Sequence, residues 1–288
     1  MNGIILVNKP YGYTSRDVVN ILCKKFKTKR IGHTGTLDPI ATGVLILCIG
    51  SATKLVEALT SDDKEYIATV ELGTLTDTLD NTGNVIKEEK TNVNVNQIKK
   101  ALEKMQGVYE QEVPIYSAVK INGKKLYEYA REGINVDLPK RMVNIKSLEL
   151  INNIKYENNK TTFQIRCHVS KGTYIRSLVN DIAHGLGTVG TMTSLNRVKQ
   201  GIFNISDSYT LEDIENDNYK LLSIKEALSN VKQVIVSGEE LFKIKNGTRL
   251  ENIYHSDKVL FLDEFDNEIA LYKTLDNDDK ILKVYKMF

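Results

Sequence analysis

Apolar and polar residues alternate in short runs along this chain, and the period of the runs changes several times. Residues 4–7 are four consecutive apolar positions, the pattern of a buried first strand. Ser15 then stands where a helix cap is expected, with Val18, Val19 and Leu22 on one side of a helix reaching Phe26. Residues 44–49 form a continuous apolar run and residues 66–72 a partly alternating one, and both predict strands. Asn94 opens a second amphipathic helix, with Ile98, Leu102 and Met105 on one face. Residues 161–169 place Phe163, Ile165, Cys167 and Val169 on one side, as a half-buried strand does. Thr173 is placed to cap a helix with apolar positions Ile175, Leu178, Val179, Ile182 and Leu186, closed by Gly187. The polar residues 206–218 predict a surface crossing. From Val234 onward, strands at 258–262 and 281–285 alternate with turns such as Asp276-Asn277-Asp278, which predicts a small β-rich C-terminal domain.

Residues 112–141 break the pattern. They hold Pro114, Gly123, Gly133 and Pro139, and six basic residues against four acidic ones. A short helix is expected at 124–132. The segment reads as an inserted, mobile basic flap, with an ordinary long connection as the alternative.

Composition narrows the function classes. The 288 residues leave room for one large domain and a small one. No apolar run approaches the ~20 residues of a membrane span, and no basic region precedes the first apolar stretch as in a signal peptide. Cys23, Cys48 and Cys167 lie far apart, and His33, His168, His184 and His255 form no ligand pair, so neither a disulfide framework nor a metal site is expected. A reducing cytoplasm fits that usage. The net charge of +2 conceals an asymmetry. Residues 1–206 carry 28 Lys and Arg against 20 Asp and Glu, a net +8, and residues 207–288 carry 11 against 17, a net −6. A basic body with an acidic tail region suits contact with a polyanion; a chance imbalance is the alternative.

The densest chemical signal is Gly32-His-Thr-Gly-Thr-Leu-Asp-Pro-Ile-Ala-Thr-Gly43. Three glycines and a proline shape this loop sharply just before the strand at Val44. Its one carboxylate, Asp38, directly precedes Pro39 and is therefore held extended with few conformers. An Asx turn or a helix cap would use the same residue. The loop lacks the Gly-Lys-Ser/Thr ending of a phosphate-cradling P-loop. A second cluster, Lys171-Gly-Thr-Tyr-Ile-Arg-Ser-Leu178, puts Tyr174 and Arg176 at the start of a helix. An arginine there can keep a buried carboxylate ionised, or simply be solvated. Lys64-Glu-Tyr-Ile-Ala68 sets Tyr66 on a strand, either as core or as a platform for a stacked base.

Together these segments resemble the TruB family, the bacterial tRNA pseudouridine-55 synthases. Asn8-Lys-Pro-Tyr-Gly-Tyr-Thr-Ser15 is similar to that family's N-terminal motif, residues 32–43 to its catalytic loop, and residues 64–68 to its tyrosine strand. Pro114-Ile-Tyr-Ser-Ala-Val-Lys120, with Gly123, Tyr127, Ala130 and Arg131, resembles its RNA-gripping insertion. Residues 172–178 with Asp181, Leu186 and Gly187 resemble its arginine motif, and Leu195-Asn-Arg-Val-Lys-Gln-Gly-Ile-Phe203 its Leu-x-Arg strand. Asn196 and Val198 depart from the basic and hydroxyl residues expected there, and beyond residue 230 only length and β character agree.

The resemblance implies an α+β pseudouridine synthase fold: a mixed, mostly antiparallel sheet with a central RNA-binding cleft in residues 1–230, and a PUA-like domain over 231–288. It implies isomerisation of a uridine at position 55, in the T arm of tRNA, to pseudouridine, with base flipping and no cofactor. Asp38 would act as nucleophile or base, Arg176 would pair with it, and Tyr66 would stack on the base. Lys9 and Leu195 would shape the pocket, and His33 and Tyr174 would touch RNA. Lys120, Lys124, Lys125 and Arg131 would clamp phosphates. The implied partner is tRNA, bound by a monomer with no obligatory protein partner. A non-catalytic RNA-binding protein is the main rival, although assistance to tRNA folding fits beside the chemistry. A guide-RNA-dependent synthase is the second, and the full insertion favours stand-alone action. A nucleotide enzyme would need a phosphate-binding fingerprint that is not found.

Overall fold

Which side chains point inward decides where each strand starts. In the computed structural model, which describes residues 1–275 and 278–288, the strand Lys64–Leu72 buries every second residue from Lys64 on. It therefore begins two residues before the run read from the sequence. The described residues form two compact units.

One unit comprises Pro39–Gly43 and Asp62–Ile205. Its sheet runs in the order Gly190–Gln200, Lys64–Leu72, Lys160–Val169, Lys140–Leu150, Gly107–Glu112, with antiparallel neighbours throughout. Residues 41–43 add a parallel pairing to the first of these strands. The sheet is thus mixed and mostly antiparallel, as expected. The helix Ile175–Gly185 buries Ile175, Leu178, Val179 and Ile182 and is followed, after its cap Leu186, by Gly187, whose φ of +73° suits glycine. Its cap is Tyr174, not Thr173, whose hydroxyl turns back to the Ser170 carbonyl at 2.9 Å. Asn94 caps the helix Val95–Lys104 as predicted, in a reciprocal box with Gln97.

The insertion is smaller and better anchored than its composition suggests. Lys140 and Arg141 belong to the sheet, paired with Glu112 and Gln111. Inside, a hairpin of Lys120–Ile121 with Lys124–Lys125 turns through Asn122 and Gly123, both at positive φ, and leads into the helix Leu126–Arg131. Asn-Gly favours that turn because both residues tolerate the left-handed region. Val113 and Leu126 within it are fully buried.

The other unit comprises Met1–Asp38, Val44–Ser61 and Ser206–Phe288. The strand Gly3–Lys9 is buried nearly throughout. Ile31–His33 pairs antiparallel with the end of Ala41–Ile49. The helix Ser15–Lys25 is capped by Thr14, with Asp17 closing the box, one residue earlier than expected. Residues 206–218 are more than a surface crossing: they contain the helix Leu211–Glu215 with Ile214 buried, and Tyr209 exchanges backbone bonds with Leu6 and Asn8. A five-stranded sheet follows in the order Lys232–Ile235, Lys258–Leu262, Glu268–Leu275, Asp278–Met287, Leu250–Glu251. Its core gathers Val259, Phe261, Tyr272 and Leu282, with Phe261 edge-on to Tyr272 at 5.2 Å. The helix Gly238–Lys245 contributes Ile244 to that core and was not foreseen. Of the predicted turn at 276–278, Asp276 and Asn277 lie outside the described residues.

Candidate active site

The loop that carries Asp38 is held by backbone bonds on one side and by a buried hydroxyl on the other. Thr34 N–H donates to the Ile46 carbonyl at 3.1 Å, and Gly35 N–H to His33 Nδ1 at 3.4 Å. His33, proposed from sequence as an RNA contact, is therefore a half-buried acceptor within its own loop. Ser15 Oγ accepts from Leu37 N–H at 2.8 Å and faces the Leu37 carbonyl at 3.3 Å. Freed from capping by Thr14, this hydroxyl fixes the residue immediately before Asp38, which is half-buried. Lys9 is fully buried and donates to the carbonyls of Pro10 and Tyr13 at 2.9 and 2.5 Å. It closes the turn that presents Tyr11 and Tyr13, two exposed aromatics that the sequence reading passed over.

In the other unit, the residues just after Asp38 are stitched to the Leu195 strand. Ala41, Thr42 and Gly43 pair in parallel with Leu195, Asn196 and Arg197. Gly43 has φ +103°, and a Cβ there would lie 2.2 Å from the Arg197 carbonyl oxygen, so glycine is required. The Asn196 Oδ1 is buried beside Gly43. Leu195, expected from sequence in the pocket wall, is buried.

Tyr66 lies opposite Arg197 across the same sheet, and the Arg197 guanidinium donates to its hydroxyl. Arg197 is 1% exposed, and burial disfavours its charge while the Tyr66 bond favours it. Lys64, two residues before Tyr66, is 8% exposed. Burial, helped by the Arg197 cation, pushes its ammonium down to about 8 against the opposing pull of Asp62 and Asp63. Two buried cations thus flank Tyr66, and the sequence motifs that contain them had given neither a role.

Arg176 is 5% exposed and fixed on three sides. It donates to the Thr78 carbonyl at 3.0 Å and to the Tyr116 carbonyl at 2.9 Å, and its Nε lies 3.8 Å from the Asp80 carboxylate. Asp80 is in turn set by the hydroxyls of Thr78 and Thr82. Leu79 between them adopts φ +61°, a strained conformation for a branched residue. The sequence reading missed this loop. Its signal was the polar run Thr76-Asp-Thr-Leu-Asp-Asn-Thr-Gly83, unusual between two strands. Tyr174 stands two residues before Arg176, with the Arg141 guanidinium over its ring at 5.2 Å.

The proposed phosphate clamps are engaged within the insertion. Lys124 pairs with Glu132 and lies over the Tyr129 ring at 4.8 Å. Lys125 donates to the Tyr127 hydroxyl at 3.0 Å, and Arg131 lies over the Tyr127 ring at 5.3 Å. Lys120 is exposed. The Cys48 and Cys167 thiols are buried and pushed up to about 12, so they are unreactive core residues. Among the described residues no group of His, Cys, Asp and Glu is arranged to hold a metal ion, and no helix is long and apolar enough to cross a membrane.

A chain of an H/ACA ribonucleoprotein bound to a substrate RNA containing 2′-deoxyuridine superposes with a TM-score of 0.72, covering 99% of this chain and 84% of that one at 23% identity. This chain and that one share a fold. Residues 23–175 match the TruB family pseudouridylate synthase N-terminal domain, and residues 176–243 the tRNA pseudouridylate synthase B C-terminal domain. Proteins called tRNA pseudouridine synthase B are 41% identical in Mesoplasma florum, over 94% of this chain and 93% of that one, and 46% identical in Caldicellulosiruptor saccharolyticus, over 87% and 84%. The chain belongs to the TruB family of pseudouridylate synthases.

Proposed function

We propose that this protein converts the uridine at position 55, in the T arm of tRNA, to pseudouridine, alone and without a guide RNA. Asp38 is the catalytic carboxylate, acting as nucleophile or base. The C1′–N1 bond breaks, the uracil turns, and a C1′–C5 bond forms; C5 loses a proton and N1 gains one. The sum is an isomerisation that needs no oxidant, water or energy source, hence no cofactor. The observation that carries this reading is the concentration of backbone constraint around Asp38: the Ser15 hydroxyl on Leu37 before it, and Gly43, which admits no Cβ, after it.

Arg176 and Tyr66 complete the catalytic set, and Lys9, His33, Tyr174 and Leu195 contact or shape the substrate. Extruding the target base costs a few kcal/mol. Stacking on Tyr66 and phosphate contacts from Lys120, Lys124, Lys125 and Arg131 offset that. In this reading residues 1–230 are the catalytic body, residues 231–288 a PUA-like module, and the enzyme is a cytoplasmic monomer that can also assist tRNA folding. The test is incubation with unmodified tRNA followed by mapping of pseudouridine at single-nucleotide resolution. Modification elsewhere, or only with added guide RNA, overturns the reading.

A further inference from the structure

The strand Gly107–Glu112, at the edge of its sheet, carries a fully buried amide, Gln111. Its Oε1 accepts from Tyr174 N–H at 2.8 Å, and its Nε2 donates to the Tyr174 carbonyl at 3.1 Å. The second Nε2 proton goes to the Tyr109 hydroxyl at 2.7 Å, and that hydroxyl donates to Asp181 Oδ2 at 3.0 Å. This chain has one direction. A carboxylate only accepts, so Tyr109 donates to Asp181 and has lone pairs left for Gln111. The amide must then turn Nε2 toward Tyr109, which leaves Oε1 for the Tyr174 N–H. A flipped amide would set NH2 against N–H and oxygen against oxygen at both ends.

Tyr174 is the cap of the helix that carries Arg176, and that helix start has no side-chain cap of its own. Gln111 grips the cap residue at both backbone polar groups instead. Asp181, about two turns further along the same helix, anchors the far end of the network. Ser177, next to Arg176, adds a bond to the Glu112 carbonyl at 2.9 Å. The helix start is therefore referenced to the strand by buried polar bonds, which are directional, and not by apolar packing alone.

We propose that Gln111 is a positioning residue for pseudouridine formation: through Tyr109 and Asp181 it sets the start of the helix and so the place of the Arg176 guanidinium. This rests on the proposed role of Arg176. A structural role alone would lower stability and leave the effect of an Arg176 change independent of it. A positioning role makes the two changes non-additive, because both act through the same group.

The experiment is a double-mutant cycle of Gln111→Met and Arg176→Lys, read as single-turnover pseudouridine formation on saturating tRNA, with affinity measured in parallel. Gln111→Met is expected to slow the reaction at least tenfold while affinity changes less than threefold. In the Arg176→Lys background the same change should slow it less than threefold. Tyr109→Phe, which removes one hydroxyl, carries the same cycle if Gln111→Met does not fold, with a single-mutant loss of about threefold expected. Additive losses, or an unchanged rate in both Gln111→Met and Tyr109→Phe, overturn the inference while leaving the reading of the site intact. A wild-type enzyme that forms no pseudouridine in tRNA overturns the reading and the inference with it.

Discussion

Thr14 and Ser15 are adjacent hydroxyl residues with different tasks, and removing each in turn separates helix stability from presentation of Asp38. Thr14 Oγ1 accepts from Asp17 N–H at 3.1 Å, and the Asp17 carboxylate accepts from Thr14 N–H at 2.9 Å, all on the surface. Thr14→Ala removes a cap and should cost about 1 kcal/mol. Ser15 Oγ is buried and partners the backbone of Leu37, which is 3% exposed. Ser15→Ala leaves a buried N–H without its acceptor, at a cost of about 1–3 kcal/mol. The two variants should therefore differ little in Tm, each lying a few degrees below the wild type. Their rates should diverge. A shift of about 1 Å at a reacting group costs on the order of a hundredfold, so Ser15→Ala should slow single-turnover pseudouridine formation by roughly ten- to a hundredfold. Thr14→Ala should stay within about twofold. The assay is single turnover at saturating enzyme beside thermal unfolding of the same preparations. Equal slowing in both variants, or full activity in Ser15→Ala, would refute the idea that this hydroxyl positions Asp38.

Three further outcomes are expected. Asp80→Asn keeps the acceptor used by Thr78 and Thr82 but removes the charge facing Arg176; it should reduce the single-turnover rate tenfold or more with affinity nearly unchanged, and a rate within twofold of wild type contradicts the role given to that pair. Lys64 is depressed from an ordinary 10.5 to about 8, so between those values the unfolded chain retains a proton that the folded chain has released, and stability rises with pH; relative to Lys64→Met the wild type should gain up to about 2 kcal/mol from pH 8 to pH 10 in denaturant titrations, whereas parallel curves refute this. Replacing Lys124 and Lys125 with alanine should lower the salt slope of tRNA binding by roughly one to two units and leave the chemical step on bound tRNA little changed; because Lys124 is paired with Glu132, Glu132→Ala should tighten binding, and an unchanged slope would move the RNA grip to the basic run at Lys24, Lys25, Lys27, Lys29 and Arg30.

Much of the fold was legible because its periods are clean. Asn94 announced its helix through its own side chain, and the alternation at 161–169 matched the strand Lys160–Val169. Residues 44–49 were readable for the same reason, being buried on both faces. The misassigned caps show where local reading stops. Either Thr14 or Ser15 can cap a helix, and the deciding feature was Asp17, three residues after Thr14 and not after Ser15. At the other helix, Thr173 has the right chemistry, but the backbone of Tyr174 is held by Gln111, sixty-three residues away in sequence. Partners that distant leave no local trace. The same holds for Arg197 with Tyr66, which meet only through strand register, and for Asp80 with Arg176, which meet through the strained turn at Leu79. The insertion was read too long at both ends because Glu112 closes the edge strand Gly107–Glu112 and Lys140 and Arg141 open the strand paired with it, and polar residues at such strand ends look like loop in composition.

The proposed function is that this chain alone makes pseudouridine in the T arm of tRNA through Asp38. The direct measurement is nucleotide-resolution mapping of an unmodified, prefolded tRNA transcript after incubation with wild type or Asp38→Asn, with no guide RNA, nucleotide or reductant present. Wild type should give one modified uridine, at position 55. Asp38→Asn should give none, although it should bind the tRNA within about tenfold, or 1.4 kcal/mol, of wild type. Modification by Asp38→Asn at more than a trace rate, or a wild-type product at another site, would contradict the proposed function.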